Sequence, residues 1–156
     1  LKAFKLILEP LSKTTYFAKV IMKTLRFAIK NNLIKAVECL IKIINVNFDF
    51  QNKCMMSPLN CAFFWKRYDI AKLLIQEKRD VNLVDMNGNT ALHQCLSQYH
   101  SCVLDLSKVP TNRNDSDTRI ARRKVEIEKL KRIAVRLILN GADVCLKNKN
   151  DKFNIE

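Results

Sequence analysis

The stretch that decides the fold is SPLNCAFFWKRYDIAKLLIQEKRDVN, residues 57–82. Ser57 is a good helix N-cap and Pro58 fits the first helical position, where its missing N–H costs nothing. Leu59, Ala62 and Phe63 then share one helical face at i, i+3, i+4. A second helix carries Ile70, Leu73 and Leu74 at the same spacing, so the stretch reads as two short helices. Working outward, Leu59 recurs as Leu92, and Leu25 precedes it by almost the same interval. The separation of Ile70 from Val81 is repeated between Ile133 and Val144. A period of roughly 33 positions marks a repeated supersecondary unit. In the next unit Thr90 takes the place of Ser57, and Asp85–Gly88 before it is a turn signal. The second helix of that unit shows Leu130, Ile133, Ala134, Leu137 and Ile138. It stops at Asn140-Gly141, with Gly141 suited to a left-handed helix end.

At these residues the chain resembles the ankyrin-repeat family. The family's Thr-Pro-Leu-His-x-Ala entry is matched by Ser57-Pro58-Leu59-Asn60-Cys61-Ala62 and by Thr90-Ala91-Leu92-His93-Gln94-Cys95. Its lead-in matches Asp85 and Gly88, and its Gly-Ala-Asp-Val exit is Gly141-Ala142-Asp143-Val144, echoed at Asp80-Val81-Asn82 and more faintly at Asn45-Val46-Asn47. Thr24-Leu25-Arg26-Phe27-Ala28 is the weakest entry and lacks both Pro and His. The resemblance implies an all-α solenoid of paired antiparallel helices joined by short hairpin turns. It divides the chain into a capping segment at 1–18, a degenerate first unit at 19–51, a second at 52–84, a third at 85–147 and a partial fourth at 148–156.

The third unit is unusual. Leu92 lies more than twice as far from Val144 as Leu59 does from Val81, so the third unit holds an insertion between its helices. This basic insertion is placed at about 98–124. It centres on residues 105–124, whose first half, around Pro110, reads as a loop, and from Asp117 or Thr118 the pattern turns helical. Loops this long are usually functional or disordered.

Composition sets the limits around this reading. At 156 residues, 48% apolar and with 2 Gly and 3 Pro, the chain suits one helical domain with a real core. Its net charge is +13. Residues 1–51 carry +6 and residues 105–136 carry +5, flanking a middle at +2. Such charge favours acidic partners. The six cysteines form no Cys-x-x-Cys pair and mostly fall in apolar runs, which fits a reduced protein of the cytoplasm or nucleus. Lys or Arg breaks every apolar run, so no membrane-spanning segment is expected. The absent initial Met fits an excised or processed piece.

Candidate chemistry is thin. His93, Cys95, His100 and Cys102 invite a zinc reading, but residues two apart on a helix point away from each other. In the resemblance His93 is a hydrogen-bonding residue between repeats, and Cys95 a core position. No Gly-x-Ser-x-Gly, phosphate-binding loop or paired carboxylate occurs, so no catalysis and no cofactor are expected. The sharpest remaining feature is basic: Arg119, Arg122, Arg123, Lys124, Lys129, Lys131, Arg132 and Arg136. Of these, Arg122, Lys129, Arg132 and Arg136 fall near one helical stripe. The stripe suits an acidic protein surface, with nucleic acid or anionic lipid as the alternative; its plainest reading is a solvated face.

The resemblance implies a non-catalytic protein-binding module, an inhibitor or adaptor in signalling, expected to be a monomer. Small ankyrin inhibitors of Rel/NF-κB transcription factors fit the size, although +13 argues against a direct copy. A basic tether, or the ankyrin part of a larger toxin, channel or scaffold, are the other readings. Carried over by position, partner contacts fall on Lys53, Met55, Met56, Met86, Asn87 and Asn89, with Trp65 and Tyr68 as candidate aromatic anchors.

Overall fold

The computed structural model describes residues 15–43, 56–77, 80–108 and 116–150. Among them the elements are six helices: α1 Thr15–Lys30, α2 Ile34–Ile43, α3 Pro58–Phe64, α4 Tyr68–Gln76, α5 Ala91–Ser107 and α6 Ser116–Leu139. Helix α1 pairs with α2, α3 with α4 and α5 with α6; α1, α3 and α5 then stack on one another, as do α2, α4 and α6. The molecule is an all-α repeat solenoid, three helix pairs long over the described residues.

Local chemistry starts the second and third units as the sequence predicts, whereas Thr24 of the degenerate first entry lies inside α1 and caps nothing there. The Ser57 hydroxyl accepts from the backbone N–H of Asn60 at 3.1 Å, with Pro58 opening α3. Thr90 does the same for α5, accepting from the His93 N–H at 3.3 Å. His93 Nδ1 in turn accepts from the Thr90 N–H at 3.2 Å, closing a capping box. The core is the repeated face: Leu25, Ala28 and Ile29, then Leu59, Ala62 and Phe63, then Leu92 and Cys95, are all buried. From the second helices come Val37 and Ile41, then Ile70 and Leu74, then Leu130, Ile133 and Leu137.

The third unit departs most from its neighbours. Helix α5 runs on to Ser107 and α6 begins at Ser116, so most of the inserted segment is helix, including positions read from sequence as loop. Leu96, Tyr99, Cys102 and Leu106 continue the apolar period through α5 and give that extension a face to pack. Ile138, on the expected core face of α6, is exposed instead. Residues 1–14 of the capping segment, the Asn45-Val46-Asn47 exit, Pro110 and residues 151–156 of the partial unit lie outside the described residues.

Candidate functional site

Two surfaces come out of this frame: the turn tip before α5, and the long α5–α6 hairpin. The turn is organised by Asp85. Its buried carboxylate accepts from the N–H groups of Asn87 and Asn89 at 2.8 and 2.9 Å, and from Gln94 Nε2 at 3.1 Å. Asn89 is committed as well, because its Oδ1 accepts from Asn148 Nδ2 at 2.8 Å. The Asn87 carbonyl accepts from the Lys149 N–H at 3.0 Å. That stacks the turn of the third unit on the segment that follows it. Met86 and the Asn87 side chain are exposed at the tip, whereas Met56 packs partly buried against the core. Lys53 and Met55 lie outside the described residues.

Neighbouring units are tied by side chains that sequence reading assigned elsewhere or passed over. Asn60, standing where the family has His, donates Nδ2 to the Leu83 carbonyl at 3.1 Å and lies 3.4 Å from that of Asn89. Gln98 Nε2 donates to the Phe63 carbonyl at 2.7 Å. The Tyr68 hydroxyl sits 2.9 Å from Gln98 Oε1 and 3.1 Å from Glu126 Oε1, so its one proton serves either acceptor. Burial, and then the Glu126 carboxylate beside it, hold the Tyr68 phenol above its ordinary range. Tyr68 is therefore half-buried in a latch between units. Trp65 is also half-covered: Phe64 meets it edge-on at 5.1 Å and the Lys30 ammonium lies 5.0 Å over its ring. It is Phe64, 59% exposed, that faces solvent.

On the hairpin, Arg123 is spoken for. It pairs with Asp105 at 2.8 Å and Glu126 at 2.9 Å, and its Nη1 donates to Cys102 Sγ at 3.7 Å. It thus joins the extension of α5 to α6. Arg132 pairs with Glu128 at 3.1 Å on the open surface, a contact of little energetic weight. Arg119, Arg122, Lys124, Lys129, Lys131 and Arg136 are exposed, and among the described residues none is in an ion pair. The structure thus separates the basic candidates into one buttress, Arg123, and a cationic outer surface.

The four residues of the zinc reading are dispersed in role. His93 caps α5, Cys95 is buried and donates to the Leu130 carbonyl at 3.5 Å, Cys102 meets Arg123, and His100 is exposed. Burial pushes the Cys95 thiol up to about 12, which suits a core group and not a nucleophile. Among the described residues no group of three or more His, Cys, Asp or Glu converges as a metal site would.

The sequence profile for ankyrin repeats, in three copies, matches residues 25–117. The chain belongs to the ankyrin-repeat family. Ankyrin repeats are generally protein–protein interaction modules, and this repeat protein is read as one at that general level. The match ends at the start of α6, so most of the cationic helix lies past it. No curated protein matches the chain. A solved structure similar to it is that of the predatory endopeptidase Bd0816 from Bdellovibrio bacteriovorus in complex with immunity protein Bd3460. The likeness has 22% identity and a TM-score of 0.46, over 85% of this chain and 88% of that one. No described helix of this ankyrin protein is long and apolar enough to cross a membrane.

Proposed function

We propose that the chain is a non-catalytic protein-binding module whose main contact is the outer face of α6, met by an acidic protein surface. One observation carries this reading: Arg122, Lys129 and Arg136 stand at successive sevens along one exposed line, and among the described residues no carboxylate pairs with them. A solvating face needs only scattered charge of both signs. Here residues 105–136 hold ten basic side chains against five acidic ones, and three of those five, Asp105, Glu126 and Glu128, are taken up by Arg123 and Arg132. Complementary charge on a partner would speed encounter and set its register. The same reading places the protein in a reducing compartment, cytoplasm or nucleus. What supports it is the burial of Cys61, Cys95 and Cys102 in the core, where a thiol serves as a small apolar group.

A second surface has an observation of its own. Phe64 is exposed beside Trp65 at the end of α3, the residue type and setting of a binding anchor. The test is capture of proteins from untreated and nuclease-treated lysate on three baits: the chain itself, an Arg122→Glu/Lys129→Glu/Arg136→Glu variant, and Phe64→Ser. Loss of a captured protein on charge reversal alone supports the α6 surface. Loss on Phe64→Ser alone moves the site to α3, and capture that vanishes with nuclease replaces a protein partner with nucleic acid.

A further inference from the structure

The outer face of α6 carries more than charge. Helix α6 seats Leu130, Ile133 and Leu137 in the core, with Ile127 and Ala134 partly buried beside them. On the opposite side lie Ala121, Val125, Glu128, Arg132, Val135 and Leu139, all exposed. Their spacings alternate four, three, four, three, four. That is the alternation of the d and a positions of a heptad, and it holds over about 27 Å of helix. Val125 and Val135 are each 56% exposed and Leu139 79%, a large aliphatic exposure for a helix already packed on its other side. At the centre of the line, Glu128 and Arg132 pair with each other.

The residues beside this seam complete the pattern. Those following each d position are Arg122, Lys129 and Arg136; those preceding each a position are Lys124, Lys131 and Ile138. These are the e and g positions, which choose the partner of a coiled coil through charge. Five of the six are cationic and all six are exposed.

We propose that α6 is one strand of a heterotypic coiled coil, and that its partner is an amphipathic helix of about three heptads with apolar a and d positions and acidic e and g positions. This rests on the protein-binding reading above and names the partner's class. A second copy of the chain does not fit, since its cationic flanks would face these cationic flanks. An anionic bilayer or a nucleic-acid backbone would use the Lys and Arg side chains. Either would meet Glu128 at the centre of the face, and phosphates would leave Val125, Val135 and Leu139 without a role. An acidic-flanked helix satisfies cations, aliphatics and the central polar pair together. That polar pair fixes register, as a polar core position does in coiled coils generally.

The test uses the whole chain and a synthetic three-heptad peptide with Leu and Ile at d and a, Asn at its central a position, and Glu at every e and g. Alone at neutral pH the peptide is held apart by its own Glu flanks. Mixed with the chain it is expected to gain helical circular dichroism at an equimolar endpoint. Raising salt should weaken that binding. Val125→Glu/Leu139→Glu and Arg122→Glu/Lys129→Glu/Arg136→Glu should each weaken it by about tenfold or more, equivalent to about 1.4 kcal/mol. These positions are all exposed, so the fold should survive, with thermal unfolding as the check. A matched peptide with Lys at e and g should bind a chain reversed to Glu at all five cationic flanks, Arg122, Lys124, Lys129, Lys131 and Arg136, and not the original.

Three results overturn the proposal: no helix gain with the Glu peptide, binding indifferent to Val125→Glu/Leu139→Glu, or failure of the Lys peptide to restore binding. Parallel titrations with phosphatidylserine-containing vesicles and with duplex RNA identify a lipid or nucleic-acid surface, should either bind where the peptide does not. If the Glu peptide fails while charge reversal still releases a captured natural protein, the protein-binding reading stands and the helical partner falls.

Discussion

Gly88 and Gly141 both occupy the left-handed region, at φ +76° and +87°, yet their surroundings differ. A Cβ on Gly141 would meet nothing within 4 Å, whereas on Gly88 it would lie 3.1 Å from the Lys149 backbone nitrogen. Gly141→Ala should therefore cost only the conformational penalty of about 1–2 kcal/mol. Gly88→Ala should cost clearly more, because the stacked turn at 148–149 must shift; urea unfolding of the two variants compares them directly. Cys95 gives a second residue-level expectation. Its thiol rises from 9.0 to about 12 through burial, so the unfolded chain loses that proton first as pH climbs. The native state then binds more protons than the unfolded one, and stability falls with pH. The contribution is intact below about pH 9 and drains away between there and about 12, with the raised Tyr68 phenol adding to the loss above about 10. Cys95→Ala should lower the melting temperature at pH 7 and flatten its decline between pH 9 and 11, as thermal melts across that range would show.

At the scale of elements, the hairpins between first and second helices carry an avoidable cost. Asn32 and Lys66, equivalent residues one period apart, both sit at positive φ, +57° and +53°. They let the next N–H reach back: Leu33 to the Ala28 carbonyl at 2.9 Å, Arg67 to that of Ala62 at 2.7 Å. Asn tolerates this conformation better than Lys, and glycine best. Lys66→Gly should thus raise stability by roughly 1 kcal/mol, read as a rise in the urea midpoint. Much of this architecture was legible beforehand. The period from Leu25 through Leu59 to Leu92, the Ser57 and Thr90 caps and the Gly141 stop are local signals, and local geometry obeys them. The α5 extension was missed because Asp105, Ser107 and Lys108 look like loop residues until Arg123 supplies a partner to Asp105 from another helix. The latch among Tyr68, Gln98 and Glu126 was hidden for the same reason: its members lie far apart in sequence and on three different helices. The exposed seam of α6 needed burial as well as sequence, since Val125, Val135 and Leu139 look like core until Leu130, Ile133 and Leu137 are seen to fill it.

The molecule as a whole is built so that helices contact their partners within a unit and their counterparts in adjacent units. Its stability should then behave as a sum of unit and interface contributions, with each unit depending on its neighbours. Phe63 in the middle unit and Ile133 in the third are both wholly buried, so truncating either opens a cavity in the same continuous core. Phe63→Ala is expected to cost about 3–5 kcal/mol and Ile133→Ala about 2–5 kcal/mol. Their consequences should differ in kind. The middle unit is tied both ways: Arg67 donates to the Lys30 carbonyl at 2.8 Å, and Gln98 and Tyr68 join it to the third unit. Weakening it removes support from both sides at once, and Phe63→Ala should shift a single unfolding transition to lower urea. Helices α5 and α6 are tied to the body chiefly through the middle unit and can detach while the first two units stay stacked. Ile133→Ala should therefore produce a separate early step, in which hydrogen exchange accelerates along α5 and α6 before α3 and α4 are affected. Two variants that lower one common transition equally would show the solenoid to be a single cooperative block. An early step confined to the hairpin would mean that the helix offered to a partner is also the part that opens first, so that binding along α6 would stabilise the chain by holding that end closed.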